Sequence, residues 1–207
     1  MNRDNNLNGN GDKDFIPRMA IGLVHYPILD REKKIVATNI TNFDIHDIAR
    51  AASVFGVHHY YLIHPMKEQL MFVERILDHW RVGQGSKFNP YRKTALNPVR
   101  TAEDCEKAVA DWKERLGTDE DPIIIATHAR AVSGANPIAF QEAREILWES
   151  KKPVFLIFGT GFGLTDEFMK NCHYVLESIK GAPPRDYRHL SVRSAVSICL
   201  DRLLGSW

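Results

Sequence analysis

The sequence predicts an α/β fold, a mostly parallel sheet with helices on both faces. Three observations carry this. Short, continuously apolar runs such as PIIIATHA (122–129) and PVFLIF (153–158) have the composition of strands buried on both sides. Between such runs lie stretches with helical spacing, clearest at the end of the chain, where Val192, Ala195, Val196, Cys199, Leu200 and Leu203 repeat along one helical face. The two kinds of element also alternate, as βαβ units do.

Taken in order, MAIGLVHYP (19–27) is a strand ended by proline, and HHYYLIHP (58–65) is a second one. Ile45, Ile48, Ala49, Ala52 and Phe55 mark a helix between them, with Gly56 at its stop. Helical patterns follow at about 66–80 and 101–116. In the second, Thr101 and Asp104 have capping-box spacing, and Cys105, Ala108, Val109, Trp112 and Leu116 form one apolar stripe. RVGQGSKFNPYRKTALNPVR (81–100), which joins the two, reads as a loop with five cations, no carboxylate, and Phe88 and Tyr91 among the charges. Such a segment is either a solvated connection or a nucleic-acid contact. After the strand at 122–129, Asn136 before Pro137 predicts the start of a helix reaching Ser150. The strand at 153–158 follows, then a short helix capped by Thr165, a strand at HYVLE (173–177) and the final helix. There is no internal repeat.

A chain of 207 residues has room for one domain with a well-buried core. With 44% apolar and 26% charged residues it is ordinary for a globular protein, and its apolar runs fall far short of the roughly 18 residues that cross a bilayer. The opening MNRDNNLNGNGDKD lacks the apolar centre of a secretory signal, so residues 1–17 are expected to be a disordered tail and 18–207 a single domain in the cytoplasm. Cys105, Cys172 and Cys199 are isolated and odd in number, which fits a reducing compartment, and no zinc-site spacing occurs. A net charge of +1 gives no overall attraction to nucleic acid.

GTGFGL (159–164) directly follows a strand, where ligands of open α/β sheets bind. A phosphate-binding P-loop is excluded, because no Gly-Lys-Ser/Thr follows to neutralise phosphate and hold magnesium. A dinucleotide turn requires Gly-x-Gly-x-x-Gly before a long helix; Gly159, Gly161 and Gly163 give a different spacing before a short one. Glu177 could act as the ribose-binding acid, so an NAD-type oxidoreductase remains the alternative, and a plain chain reversal is the third reading.

Two further stretches complete a set with this loop. TNITNFDIHDIARAASVFGV (38–57), FGTGFGL (158–164) and HLSVRSAVSICLDRLLG (189–205) resemble, in order and kind, the three motifs of the SPOUT superfamily of knotted methyltransferases. The resemblance runs from about residue 18 to the end, and it is nearest to the bacterial SAM-dependent RNA methyltransferase domain family. It implies a C-terminal deep trefoil knot, a homodimer packed through the first and last helices, an RNA substrate and S-adenosyl-L-methionine (SAM) as cofactor. It also implies that Thr127, Gly159, Gly161, Ile179, Leu190 and Ser191 surround SAM. Adenine fits such a site through backbone groups and an apolar clamp, with glycine allowing close approach of the main chain. Because the sulfonium already carries an activated methyl group, no metal is expected.

Arg50 matches the motif arginine that binds a phosphate or polarises the acceptor; the alternative is a surface salt bridge with Asp47 or a neighbouring glutamate. Asp44 either caps the first helix or accepts the proton. His46, four residues before Arg50, is a candidate base or a structural histidine. Arg92 and Lys93 are the candidate RNA phosphate contacts. Relatives that methylate ribose carry a glutamate in the second motif, where this chain has Thr160, and an asparagine in the third, where it has Ser191. These departures speak against ribose methylation by its usual proton route and leave a base nitrogen open without choosing between them; a binding module without transfer is a separate alternative.

Overall fold

The structure, a computed structural model, describes residues 15–184 and 187–206. Seven parallel strands form the main sheet in the order β5-β4-β1-β8-β6-β9-β7. They are β1 (Met19–Val24), β4 (His59–Ile63), β5 (Val99–Ala102), β6 (Ile123–Thr127), β7 (Pro137–Ile138), β8 (Val154–Gly159) and β9 (Tyr174–Leu176). A small antiparallel hairpin, β2 (Ile28–Leu29) with β3 (Ile35–Val36), follows β1. The helices are α1 (Asn42–Val54), α2 (Lys67–Arg81), α3 (Gln84–Phe88), α4 (Pro90–Leu96), α5 (Cys105–Leu116), α6 (Phe140–Trp148), α7 (Asp166–Lys170) and α8 (Val192–Leu204).

Alternation along each strand produces two separate cores. Ile21, Leu23, Tyr60 and Leu62 point to the face covered by α1, α2, α6 and α8. Ala20, Tyr61, Ile63, Phe155 and Ile157 point to the other face, which meets Ala108 and Trp112 of α5. There the Phe155 ring lies 5.7 Å from both Tyr61 and Trp112, centroid to centroid. It lies directly over Gly22, where a Cβ would come within 2.8 Å of Phe155 Cε1. Glycine in the middle of a buried strand is therefore what lets the aromatic cluster sit down on the sheet.

The central strands, α1, α2, α7 and α8 match the sequence reading; the segments around residues 81–104 and 136–140 differ. Residues 81–100 form α3, α4 and the start of β5. Asn89 caps α4 by accepting from Arg92 N at 3.0 Å, with Pro90 in the first turn. Arg81, counted among the loop cations, donates to the carbonyls of Leu96 (2.9 Å) and Val99 (2.6 Å) and ties α2 to the end of α4 and the start of β5. Thr101 belongs to edge strand β5, and Asp104 alone caps α5 by accepting from Lys107 N at 2.7 Å. Asn136 does not open a helix: Pro137 and Ile138 add an edge strand, and α6 begins three residues later, with Glu142 accepting from Ala139 N at 2.9 Å. The expected tail lies outside the described residues as far as position 14, but Phe15 packs edge-on against Trp148 and Pro17 is buried. No helix among the described residues is long and apolar enough to cross a membrane.

Candidate functional site

The glycine loop is held in place from the β1 side, by the hairpin that follows β1 and by residues at the end of β1 and ahead of α1. Backbone bonds join it to β2, Leu29 N donating to Gly163 O (2.9 Å) and Phe162 N to Leu29 O (3.1 Å). The Thr160 hydroxyl meets the Thr38 hydroxyl at 2.5 Å and donates to Val24 O at 3.3 Å. The glycines are required first by the loop itself. A Cβ on Gly159 would fall 2.9 Å from Leu164 N, while Gly161 and Gly163 hold φ of +54° and +101°.

Beneath the loop lies a polar cluster that the motif reading missed. His25 and His64 end the adjacent strands β1 and β4, and both are buried, with ring centroids 6.1 Å apart. His25 Nδ1 is 3.1 Å from Thr38 Oγ1, so histidine, threonine and threonine form a chain into the glycine loop. Burial and the neighbouring His64 push His25 down to about 4, so it is neutral at pH 7. A signal existed: both strands end in a histidine followed within two residues by proline.

The sheet order sets the ends of β8, β6 and β9 side by side, so Gly159 and Gly161, Thr127, and Ile179 lie on three consecutive strand-to-loop exits. Thr127 donates to Ile157 O at 3.0 Å, which fixes its side chain between β6 and β8. Ile179 is partly buried against the core. Leu190 is exposed, and the Ser191 hydroxyl caps α8 by accepting from Ser194 N at 3.2 Å. Glu177, the acid a dinucleotide site would need, accepts from Phe140 N at 2.9 Å and anchors the start of α6.

The first-motif residues divide. Asp44 is buried in a capping box: it accepts from the Thr41 hydroxyl (2.6 Å) and Thr41 N (3.3 Å), and its own N donates to Thr41 Oγ1 (3.2 Å). Asp47 faces Arg193 of α8 at 3.8 Å, while Arg50 is exposed and takes no ion pair among the described residues. His46 turns toward α2 and α4, edge-on to Trp80 at 5.7 Å. Burial first, then Arg92, lowers its pKa; Asp47 opposes this. The Arg92 guanidinium stacks 4.7 Å over Trp80, and Lys93 beside it is exposed. His46 and Arg92 thus share a cavity of about 340 Å³. A second, polar cavity of about 620 Å³ lies at β5, and neither is lined by the glycine loop.

Residues 18–205 match the family model described as SAM-dependent RNA methyltransferase. The chain belongs to this family. A tRNA (guanine-N(1)-)-methyltransferase of Oleidesulfovibrio alaskensis is 42% identical over 183 residues, which are 88% of this chain and 41% of that protein. The chain therefore spans less than half the length of that relative. An uncharacterized protein of Aquifex aeolicus is 35% identical over 185 residues, 89% of this chain and 87% of its own. Among solved structures, the SpoU methyltransferase AviRb from Streptomyces viridochromogenes, in complex with AdoMet, is 15% identical, with a TM-score of 0.52 over 94% of this chain and 61% of that one. That likeness is one of fold.

For a SAM-dependent enzyme the donor set around the glycine loop is of the right kind. The hydroxyl of Thr127 is already engaged, so the exits of β6, β8 and β9 offer backbone amides and carbonyls together with the apolar side chain of Ile179. Adenosine needs such a combination, and no carboxylate or cation stands in the loop to compete with it. The NAD-type alternative fails on three counts: glycine spacing, the five-residue α7 that follows, and the engagement of Glu177.

Proposed function

We propose that this methyltransferase acts on tRNA and that the acceptor is a ring nitrogen of a base. The observation that carries the reading is the glycine loop fastened at the end of β8 beside the exits of β6 and β9, in a chain of this family. Thr127, Gly159, Gly161, Ile179, Leu190 and Ser191 hold SAM, which supplies an already activated methyl group. The chain's own work is alignment and exclusion of water, and alignment alone is worth up to about 7–11 kcal/mol. The tRNA class is supported by the name of the Oleidesulfovibrio alaskensis relative; its guanine-N1 activity is stated for a protein more than twice this length.

A ring nitrogen is favoured over ribose by the glycine loop. Thr160 stands where ribose-methylating relatives have glutamate, and its hydroxyl is bonded to Thr38 and Val24 O. A guanine ring N–H is a much stronger acid than a ribose hydroxyl and needs less help to lose its proton. Arg50, exposed and unpaired among the described residues, reaches the RNA, while Asp44 positions α1 through its capping box. The assembly is a homodimer through α1 and α8, which pack together and leave Phe43 (67%) and Val54 (77%) exposed. The last third threads into a trefoil knot, a reading favoured by the insertion of late strand β8 between β1 and β6. The protein works in the cytoplasm.

The test is incubation of the full chain with methyl-labelled SAM and bulk tRNA or rRNA, followed by nucleoside mass spectrometry. A base-methylated nucleoside from tRNA is expected. A ribose-methylated product overturns the acceptor, label in rRNA alone overturns the RNA class, and SAM binding without transfer makes the chain a binding module.

A further inference from the structure

We propose that the groove between α1, α2 and α4 is a nucleotide subsite, which takes one unstacked base of the substrate RNA together with its phosphate. This rests on the RNA-methylating reading above and adds a place where the RNA is gripped away from the methyl donor. The groove encloses about 340 Å³, at the lower end of the roughly 300–1,000 Å³ typical of small-ligand sites. That is room for one nucleotide and not for a duplex, and single-stranded RNA is commonly read by splaying bases onto aromatic side chains.

The walls are flat rings. Trp80 lines the groove with His46 and His79 set edge-on to it at 5.7 and 5.0 Å, and Phe72, 40% exposed, lines it as well. Arg92 already lies over Trp80, so one layer of planar stacking is built in. Arg75 and Arg92 bring two guanidiniums, and no carboxylate lines the groove. The same surface continues into α3 and α4, where Lys87 and Lys93 flank Phe88 and Tyr91, both 88% exposed. Aromatic rings interleaved with cations and free of acids complement a phosphate chain carrying bases. Lysines are depleted from protein interfaces, and the two that flank this groove, Lys87 and Lys93, favour RNA as its occupant over a protein.

Binding of a short single-stranded RNA to the full chain is measured by fluorescence anisotropy, alongside the same oligomer with an abasic site. Phe72→Ala is expected to weaken the intact RNA about tenfold or more, as loss of one stacked base does. The abasic oligomer is expected to bind wild type and variant alike, and calorimetric SAM affinity to stay unchanged. Arg75→Gln, exposed and away from the core, is expected to lower affinity for both oligomers and reduce the salt dependence. If neither substitution alters RNA affinity while Lys93→Ala does, the subsite is wrong and the methylation reading stands. If wild type binds no RNA at low salt, both fall. If Phe72→Ala changes the oligomeric mass and leaves RNA affinity intact, the groove belongs to a second copy of the chain and the proposal is overturned.

Discussion

Thr160 of the glycine loop and Thr38, just ahead of α1, meet hydroxyl to hydroxyl at 2.5 Å across 122 residues of chain. Through this contact the first motif and the second share one hydrogen-bonded chain, which continues to His25 at 3.1 Å. The glycine loop is thereby fixed from β1 as well as from its own strand.

Replacing Thr160 by valine keeps the shape and removes the hydroxyl. Thr38 and Val24 O then lose a partner in a part-buried setting, at a cost of about 1–3 kcal/mol. Urea unfolding is expected to show that loss, and calorimetry a weaker affinity for SAM; Thr160→Ser is expected to recover most of both. Wild-type SAM affinity in the valine variant would mean that the contact does not organise the loop.

Stability depends on pH through His25. Its native pKa of about 4 lies below the ordinary 6.5, so between these values the unfolded chain binds more protons than the native one. The contribution is complete above pH 6.5 and is lost as pH falls toward 4, on the order of 3 kcal/mol in all. His59, also pushed down to about 4 by burial and then Arg100, adds to the same slope. Urea unfolding at stepped pH is expected to show the decline, and His25→Gln a shallower one. An equal slope in that variant would remove His25 from the account.

Arg50→Ala is expected to reduce methyl transfer to RNA at least about a hundredfold, the scale seen when a single charge-stabilising donor is removed. Since the side chain is exposed, the unfolding midpoint and SAM affinity are expected to match wild type. Methyl incorporation compared with a SAM titration checks this; near-normal incorporation would exclude Arg50 from the reaction.

Gly22→Ala is expected to destabilise the fold by about 1–3 kcal/mol, because the new Cβ presses on the Phe155 ring. In Phe155→Leu, which itself loses stability, the same alanine is expected to cost much less. A double-mutant cycle in urea reads this coupling, and strict additivity would show that the ring does not rest on Gly22.

Local chemistry determined much of this protein. Continuous apolar runs marked β1, β4, β6, β8 and β9, Thr165 marked the start of α7, and the repeat from Val192 to Leu203 marked α8, because burial and capping are written within a few residues. The motifs in 38–57, 158–164 and 189–205 were enough to indicate the family that the comparisons show. The edge strands β5 and β7 were not legible, since strands of four and two residues exist only by pairing with β4 and β9. For the same reason Thr101 and Asn136 looked like helix caps.

The surroundings of the candidate residues were decided by tertiary structure. Asp44, read from the sequence as a helix cap or a proton acceptor, sits in a capping box, and His46, four residues before Arg50, faces Trp80 and Arg92. Periodicity says which face of a helix is covered but not by what. The meeting of His25, Thr38 and Thr160 depends on the parallel placement of β1 beside β8, and short-range residue preferences carry no information about a neighbour more than a hundred residues away.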